Sequence, residues 1–270
     1  MKIKNVVYKL KEIYRKLSVP QFTIVTGLII IFFGTLILSS PLCSSSDVGL
    51  WEAFFTSTSA ITVTGLTIID IGVDLNIFGQ IFLALMLLSG GLGLMAITTF
   101  LQGFVVKGTQ LRTRLDKGKT LDEFGVGGIG RTFQSIAITA TSIISFGAIV
   151  LYFFGFLEIQ NNWQRLWSAI FHSISAYNNA GFSLWSNSLQ DYRSNFVVNI
   201  IFIFLIVMGG LGWRVIDDIW SNRNNLAYKR LSLHSRLVIR TTCSLIIFGS
   251  FGFFITETLL NSQFFGDLNF

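Results

Sequence analysis

The stretch Trp51-Glu52-Ala53-Phe54-Phe55-Thr56-Ser57-Thr58-Ser59-Ala60-Ile61-Thr62-Val63-Thr64-Gly65-Leu66 returns later in the chain. It reappears as Trp167-Ser168-Ala169-Ile170-Phe171-His172-Ser173-Ile174-Ser175-Ala176-Tyr177-Asn178-Asn179-Ala180-Gly181-Phe182. The offset is 116 residues, and seven of the 16 positions are identical. A second block, Gly90-Gly91-Leu92-Gly93, recurs as Gly209-Gly210-Leu211-Gly212 at an offset of 119. Two matched blocks at nearly the same spacing mark an internal repeat. Each copy of the longer block is rich in Ser, Thr or Asn and lies between two more apolar runs. What those runs are decides the fold.

Composition identifies them. Hydrophobic residues make up 51% of the 270 and charged residues only 13%, with 27 Phe and a mean hydropathy of +0.64. Ordinary soluble domains carry about 25% charge. A soluble core cannot hide this much apolar surface, whereas a bilayer accepts it. The same numbers exclude disorder, which needs polar, aromatic-poor sequence. Two cysteines exclude a disulfide scaffold. Uncharged runs then give five expected crossings: 21–38, 75–106, 132–157, 194–213, and one from about 237 to 256. The first is too long for a signal peptide and no small-x-small cleavage pattern follows it.

The basic residues orient these spans. Eighteen of the 20 fall in three segments: Lys2 to Lys16, Lys107 to Arg131, and Arg214 to Arg240. Only Arg165 and Arg193 lie on the other side. By the positive-inside rule the three segments, and with them the N-terminus, are cytoplasmic. The net charge of +6 therefore reflects topology and lipid headgroups, and calls for no nucleic acid partner. Cys43 falls outside and Cys243 near the inner face, so the two are not expected to pair.

Each copy of the repeated block starts and ends outside, so it must dip into the membrane and return. Leu50 to Ala60 makes a helix of roughly 16 Å, half the hydrocarbon thickness. The return is irregular backbone, tolerated at that depth only inside protein or beside water. Gly65 and Gly181 fall where it begins, and glycine allows the positive φ angles needed there. A half-helix ending inward points its negative end at the loop, which favours a cation. Ile61 to Leu66 carries no charge, so its backbone carbonyls are the main ligands available to an ion. Rings of carbonyls replace the hydration shell in potassium channels. Asn178 and Asn179 stand where the first loop has Thr62 and Val63, and their amides can brace the loop or contribute oxygens.

These motifs resemble the Trk/Ktr/HKT superfamily of potassium transporters, and most closely the N-terminal half of the Ktr-type membrane subunit. The resemblance spans essentially the whole chain and is most specific at 59–66, 171–183 and the two Gly-Gly-Leu-Gly blocks. It implies an all-α transmembrane fold of tandem helix–pore-loop–helix repeats like those of a potassium channel. Two repeats are complete here and the first helix of a third follows. It also implies one filter glycine per loop, matched by Gly65 and Gly181. The expected ion-binding residues are Thr62, Val63, Thr64, Gly65, Asn178, Asn179, Ala180 and Gly181. A serine at the first-loop position accompanies sodium preference in some plant members, so Gly65 argues for potassium. The implied partners are membrane lipids, a second copy of the chain in a homodimer, and a cytosolic nucleotide-binding regulatory ring. No cofactor is expected beyond the permeant K⁺, with Na⁺ left open.

The expected organisation is then a cytoplasmic N-terminus 1–18, a first repeat 19–106, a linker 107–131, a second repeat 132–222, a linker 223–236, and a third helix 237–270. The family builds its filter from four loops and this chain has two. Four units would need roughly 460 residues. A fragment, a truncated frame or half of a split transporter is the expected status.

Other readings carry less. Gly125-Val126-Gly127-Gly128-Ile129-Gly130 has dinucleotide-binding spacing, but no strand precedes it and a span follows, so it reads as a flexible link. Ser183 lacks the second glycine of a nucleophile elbow and no acid accompanies His172 or His234, so no enzyme is expected. His172, aligned with Thr56, reads as a structural hydrogen bonder. Arg214 with Asp217 and Asp218 reads as a solvated pair. The glycine blocks read as close helix packing. The alternative to transport is a membrane protein that only binds partners.

Overall fold

The computed structural model describes residues 19–91, 126–222 and 231–260, and every named element among them is helical. The expected cytoplasmic N-terminus, the end of the expected second span with Leu92 and Gly93, and most of both expected linkers lie outside the described residues. The described chain falls into two units, one through Gly210 and one from Leu211.

In the first unit, α1 (Val19–Leu38) leads through a loop into the short α2 (Leu50–Thr62). One turn, α3 (Ile71–Asp74), precedes α4 (Ile77–Gly91). The second half repeats the order with α5 (Val126–Val150), α6 (Asn162–Tyr177) and α7 (Phe196–Leu211). Helix α1 packs on α2, α2 on α4, α5 on α6, and α4 crosses over to α6. The second unit holds α8 (Trp213–Ser221) and α9 (Leu233–Leu260), which pack on each other.

Lipid solvation explains where the apolar side chains go. Leu28, Phe32 and Phe33 on α1, and Phe248, Phe251 and Phe253 on α9, are exposed. In a bilayer this exposure costs nothing, and small residues that allow close packing set the contacts instead. Ala53, Ala60 and Ala169 are fully buried along α2 and α6. By length and composition, Gln134–Gly155 and Leu233–Thr256 can each cross a membrane, while Thr23–Leu38 and Ile77–Gly91 are apolar but shorter.

The half-helices end and begin on identifiable signals. Glu52, in the first turn of α2, accepts from the Gly49 amide at 2.5 Å. Asn161 caps α6 by accepting from the amides of Trp163 and Gln164. Helices α4 and α7 each start on an asparagine. Asn76 accepts from Phe78 and Gly79 and donates to the Leu42 carbonyl, while Asn195 accepts from Val198 and donates to the Gly155 carbonyl. These two asparagines are 119 residues apart, the offset of the glycine blocks.

Three expectations need correction. Gly127, Gly128 and Gly130 are helical, because α5 begins at Val126 where a flexible link was expected. Glycine lowers helix stability without forbidding it, and a long apolar helix propagates through it once nucleated. Helix α9 likewise begins at Leu233, ahead of the expected 237. Asp218 is not a simple solvated partner of Arg214. Its carboxylate accepts from Ser235 Oγ at 2.5 Å, the Ser232 amide at 2.9 Å and Asn222 Nδ2 at 3.0 Å. The guanidinium of Arg214 lies 5.5 Å over the Trp213 ring.

Candidate functional site

The C-terminal ends of α2 and α6 form the same turn. In the first, the Val63 amide donates to the Ala60 carbonyl and the Thr64 amide to the Ser59 carbonyl at 2.9 Å. In the second, Asn179 donates to Ala176 and Ala180 to Ser175 at 2.8 Å. Val63 and Asn179 both have φ of 55°, and the glycines two residues on, Gly65 and Gly181, have φ of 82° and 73°. The left-handed region suits glycine and tolerates asparagine, but strains a β-branched valine. Every one of these pairs is separated by 116 residues.

The two turns meet. A Cβ built on Gly65 would collide with the carbonyl oxygen of Ala180, whereas one on Gly181 would find Gly65 Cα at 3.6 Å. The expected ion-binding residues therefore come together at Gly65, Ala180 and Gly181. Their side chains behave differently. Thr62 bonds to the Thr58 carbonyl and to Thr64 Oγ1 at 2.7 Å, and both threonines are exposed. Asn178 is buried and its Nδ2 donates to the Ile174 carbonyl of its own helix at 2.8 Å, so its side chain braces α6. Its Oδ1 has no hydrogen-bond partner among the described residues and lies against Gly91. The side chain of Asn179 is exposed.

The glycine blocks support the turns from behind. A Cβ on Gly90 would stand 2.5 Å from the Ile61 carbonyl, and one on Gly209 would collide with the Tyr177 carbonyl. Ile61 and Tyr177 are equivalent in the repeat, as are Gly90 and Gly209. One on Gly91 would collide with Asn178. The packing role therefore holds for these three. Gly210 has nothing within 4 Å, and Gly212 ends α7 with φ of 79°, so conformation rather than packing requires glycine there.

A serine hydroxyl ties each half-helix to its returning strand. Ser59 Oγ accepts from the Leu66 amide at 3.0 Å, and Ser175 Oγ donates to the Phe182 carbonyl at 2.7 Å. Behind the second turn, His172 is 1% exposed, stacked on Trp185 at 4.1 Å and flanked by Phe156. A single π-turn, Leu151–Gly155, delivers Phe156 there. Gln80 on α4 accepts from Trp167 Nε1 at 2.7 Å and donates to the Leu75 carbonyl, which joins the two halves near the start of α4. Sequence reasoning missed Gln80, Trp185 and Phe156. Extending the repeat offset past the glycine blocks would have found Asn76 and Asn195, but these three have no repeat signature.

Residues 32–263 match the family profile of TrkH, described as Cation transport protein. The chain is 32% identical over 239 residues to the Ktr system potassium uptake protein B of Bacillus subtilis, covering 88% of this chain and 53% of that protein. It is 30% identical to the protein of the same name from Vibrio alginolyticus, with 88% and 52% covered. It is 32% identical over 250 residues to the Potassium/sodium uptake protein NtpJ of Enterococcus hirae, with 92% and 54% covered. The chain spans about half the length of the curated relatives it matches.

Proposed function

The chain belongs to the TrkH family of cation transport proteins, and on that premise we propose that it carries two pore-forming repeats of a potassium uptake subunit. The observation that carries this reading is the pair of equivalent turns, each at the end of a half-helix and each with a glycine at positive φ two residues after a left-handed residue. Helices α1, α2 and α4 form one helix–pore-loop–helix unit, and α5, α6 and α7 the next. Helix α9 begins a third. The negative ends of α2 and α6 point at the turns, which lowers the energy of a cation there. The backbone carbonyls of Thr62, Val63, Thr64 and Gly65, with those of Asn178, Asn179, Ala180 and Gly181, replace its hydration shell.

The named relatives are uptake proteins rather than enzymes, in keeping with permeation and no covalent chemistry. The N-terminus and the linkers 107–131 and 223–236 face the cytoplasm in this reading. There they meet a nucleotide-binding regulatory ring, and the membrane subunit pairs as a homodimer in the plasma membrane. Both partners follow from the family resemblance.

Expression in a bacterium lacking potassium uptake, alone and with the C-terminal half of a relative, tests the proposal. Rubidium uptake is expected in at least one arrangement, and Gly65→Asp or Gly181→Asp should abolish it. Uptake indifferent to both substitutions, or stable insertion with no flux in either arrangement, overturns the reading in favour of a membrane protein that only binds partners.

A further inference from the structure

We propose that His172 is a positioning residue for the second loop, clamping the returning strand at Ser183 and Leu184 so that the carbonyls around Gly181 stay in register. The inference rests on the transport reading above and names what fixes one half of the site. His172 Nδ1 lies 2.8 Å from the Ser168 carbonyl, an oxygen that can only accept. Nδ1 therefore carries the proton, and Nε2 presents a lone pair. That lone pair accepts from Ser183 Oγ at 3.1 Å and faces the Leu184 amide at 3.4 Å. Ser183 Oγ accepts in turn from the Trp185 amide at 3.1 Å, so three successive residues of the returning strand are tied to one imidazole. The ring cannot turn away, because Trp185 stacks on one face and the edges of Phe156 and Phe171 hold the other sides.

The first loop lacks this tie. Thr56 stands in place of His172, fully buried, and its Oγ1 has no hydrogen-bond partner among the described residues. Thr67 stands in place of Ser183 and is satisfied within its own strand, donating to the Ile69 carbonyl and accepting from the Ile69 amide. A threonine side chain is too short to span the gap that the imidazole closes. The clamp is therefore specific to the second repeat, and the two loops differ in what holds them from behind.

The test compares His172→Leu, His172→Gln, Ser183→Ala and Thr56→Val in whichever arrangement supports uptake. His172→Leu should lower potassium preference over sodium by about tenfold, as expected when buried hydrogen-bond partners lose their acceptor. Gln keeps an acceptor near the Nε2 position and should restore the preference to within about threefold. Ser183→Ala removes the hydroxyl from the other side and should cost about threefold, even if His172→Leu fails to insert. Thr56→Val should change nothing. Unaltered selectivity in both His172→Leu and Ser183→Ala overturns the proposal. Amide exchange at Leu184 separates this failure from failure of the transport reading. It should accelerate in His172→Leu and not in Thr56→Val whether or not ions pass, and equal exchange in both variants also overturns the clamp.

Discussion

The first and second loops share a backbone and a glycine contact behind it, and differ in the side chains that brace it. Both leave a half-helix through a left-handed residue and both place a glycine at positive φ two residues later. Yet Ser59 accepts from an amide where Ser175 donates to a carbonyl. A hydroxyl can do either, so the same residue braces two different local geometries. The second helix is also the more enclosed. Residues 171–178 are buried without interruption, whereas α2 leaves Phe54 and Thr62 exposed. The lesson is that the repeat preserves the turn itself, while each copy has acquired its own bracing.

The glycines offer the strongest way to break the equivalence. Gly65→Ala strains a left-handed backbone and drives a Cβ into the Ala180 carbonyl, which cannot move without shifting the second loop. Gly181→Ala carries the same φ strain, but its new atom meets Gly65 Cα at an unstrained 3.6 Å. The strain alone is about 1–2 kcal/mol, so uptake should fall about tenfold in Gly181→Ala and on the order of a hundredfold in Gly65→Ala. Equal losses measured by rubidium influx would mean that the loops do not touch as described.

The supporting helices come next. Gly209→Ala pushes a methyl into the Tyr177 carbonyl and should destabilise the protein by about 1–3 kcal/mol, read as thermal unfolding in detergent. Gly210→Ala meets nothing and should stay within about 0.5 kcal/mol. A smaller contrast separates the serines. Ser175→Ala strands a buried carbonyl at Phe182 and should cost about 1–3 kcal/mol, with Ser59→Ala nearer to about 1 kcal/mol. Only Ser59→Ala should speed amide exchange directly at Leu66, because only there does the serine accept from an N–H.

Much of this site is legible in the sequence for one physical reason. A turn that requires φ above zero leaves glycine as its mark, and a repeat shows the mark twice, so Gly65 and Gly181 stand out together. The half-helix expected over Leu50 to Ala60 runs from Leu50 to Thr62. What holds the turns is less legible. Trp167 meets Gln80 and His172 meets Ser183 through side chains that share no period, and nothing local records those pairings. Helix starts are also blurred, since a hydropathy run stops at the first polar residues while the backbone continues through them at headgroup level. Leu233 and Val126 both begin helices several residues ahead of the apolar runs that announce them.

The smallest effect concerns the second unit and supplies a perturbation that should spare both loops. Hydrogen bonds from Ser235, the Ser232 amide and Asn222 stabilise the charged form of Asp218 and hold its carboxyl below the ordinary value of 3.8. A carboxyl lowered on folding contributes stability that is present above about pH 3.8 and is lost as pH falls through the folded value. Acidification below that point should therefore loosen the start of α9, read as faster intrinsic-rate-corrected exchange at Ser232. Asp218→Asn should remove this pH dependence. The spans 59–66 and 175–184 contain no carboxylate, so their corrected exchange should stay flat over the same range. A parallel acid response at Leu66 or Leu184 would instead show that the loops depend on charges beyond their own hydrogen bonds, and would undercut the account of their difference as local bracing.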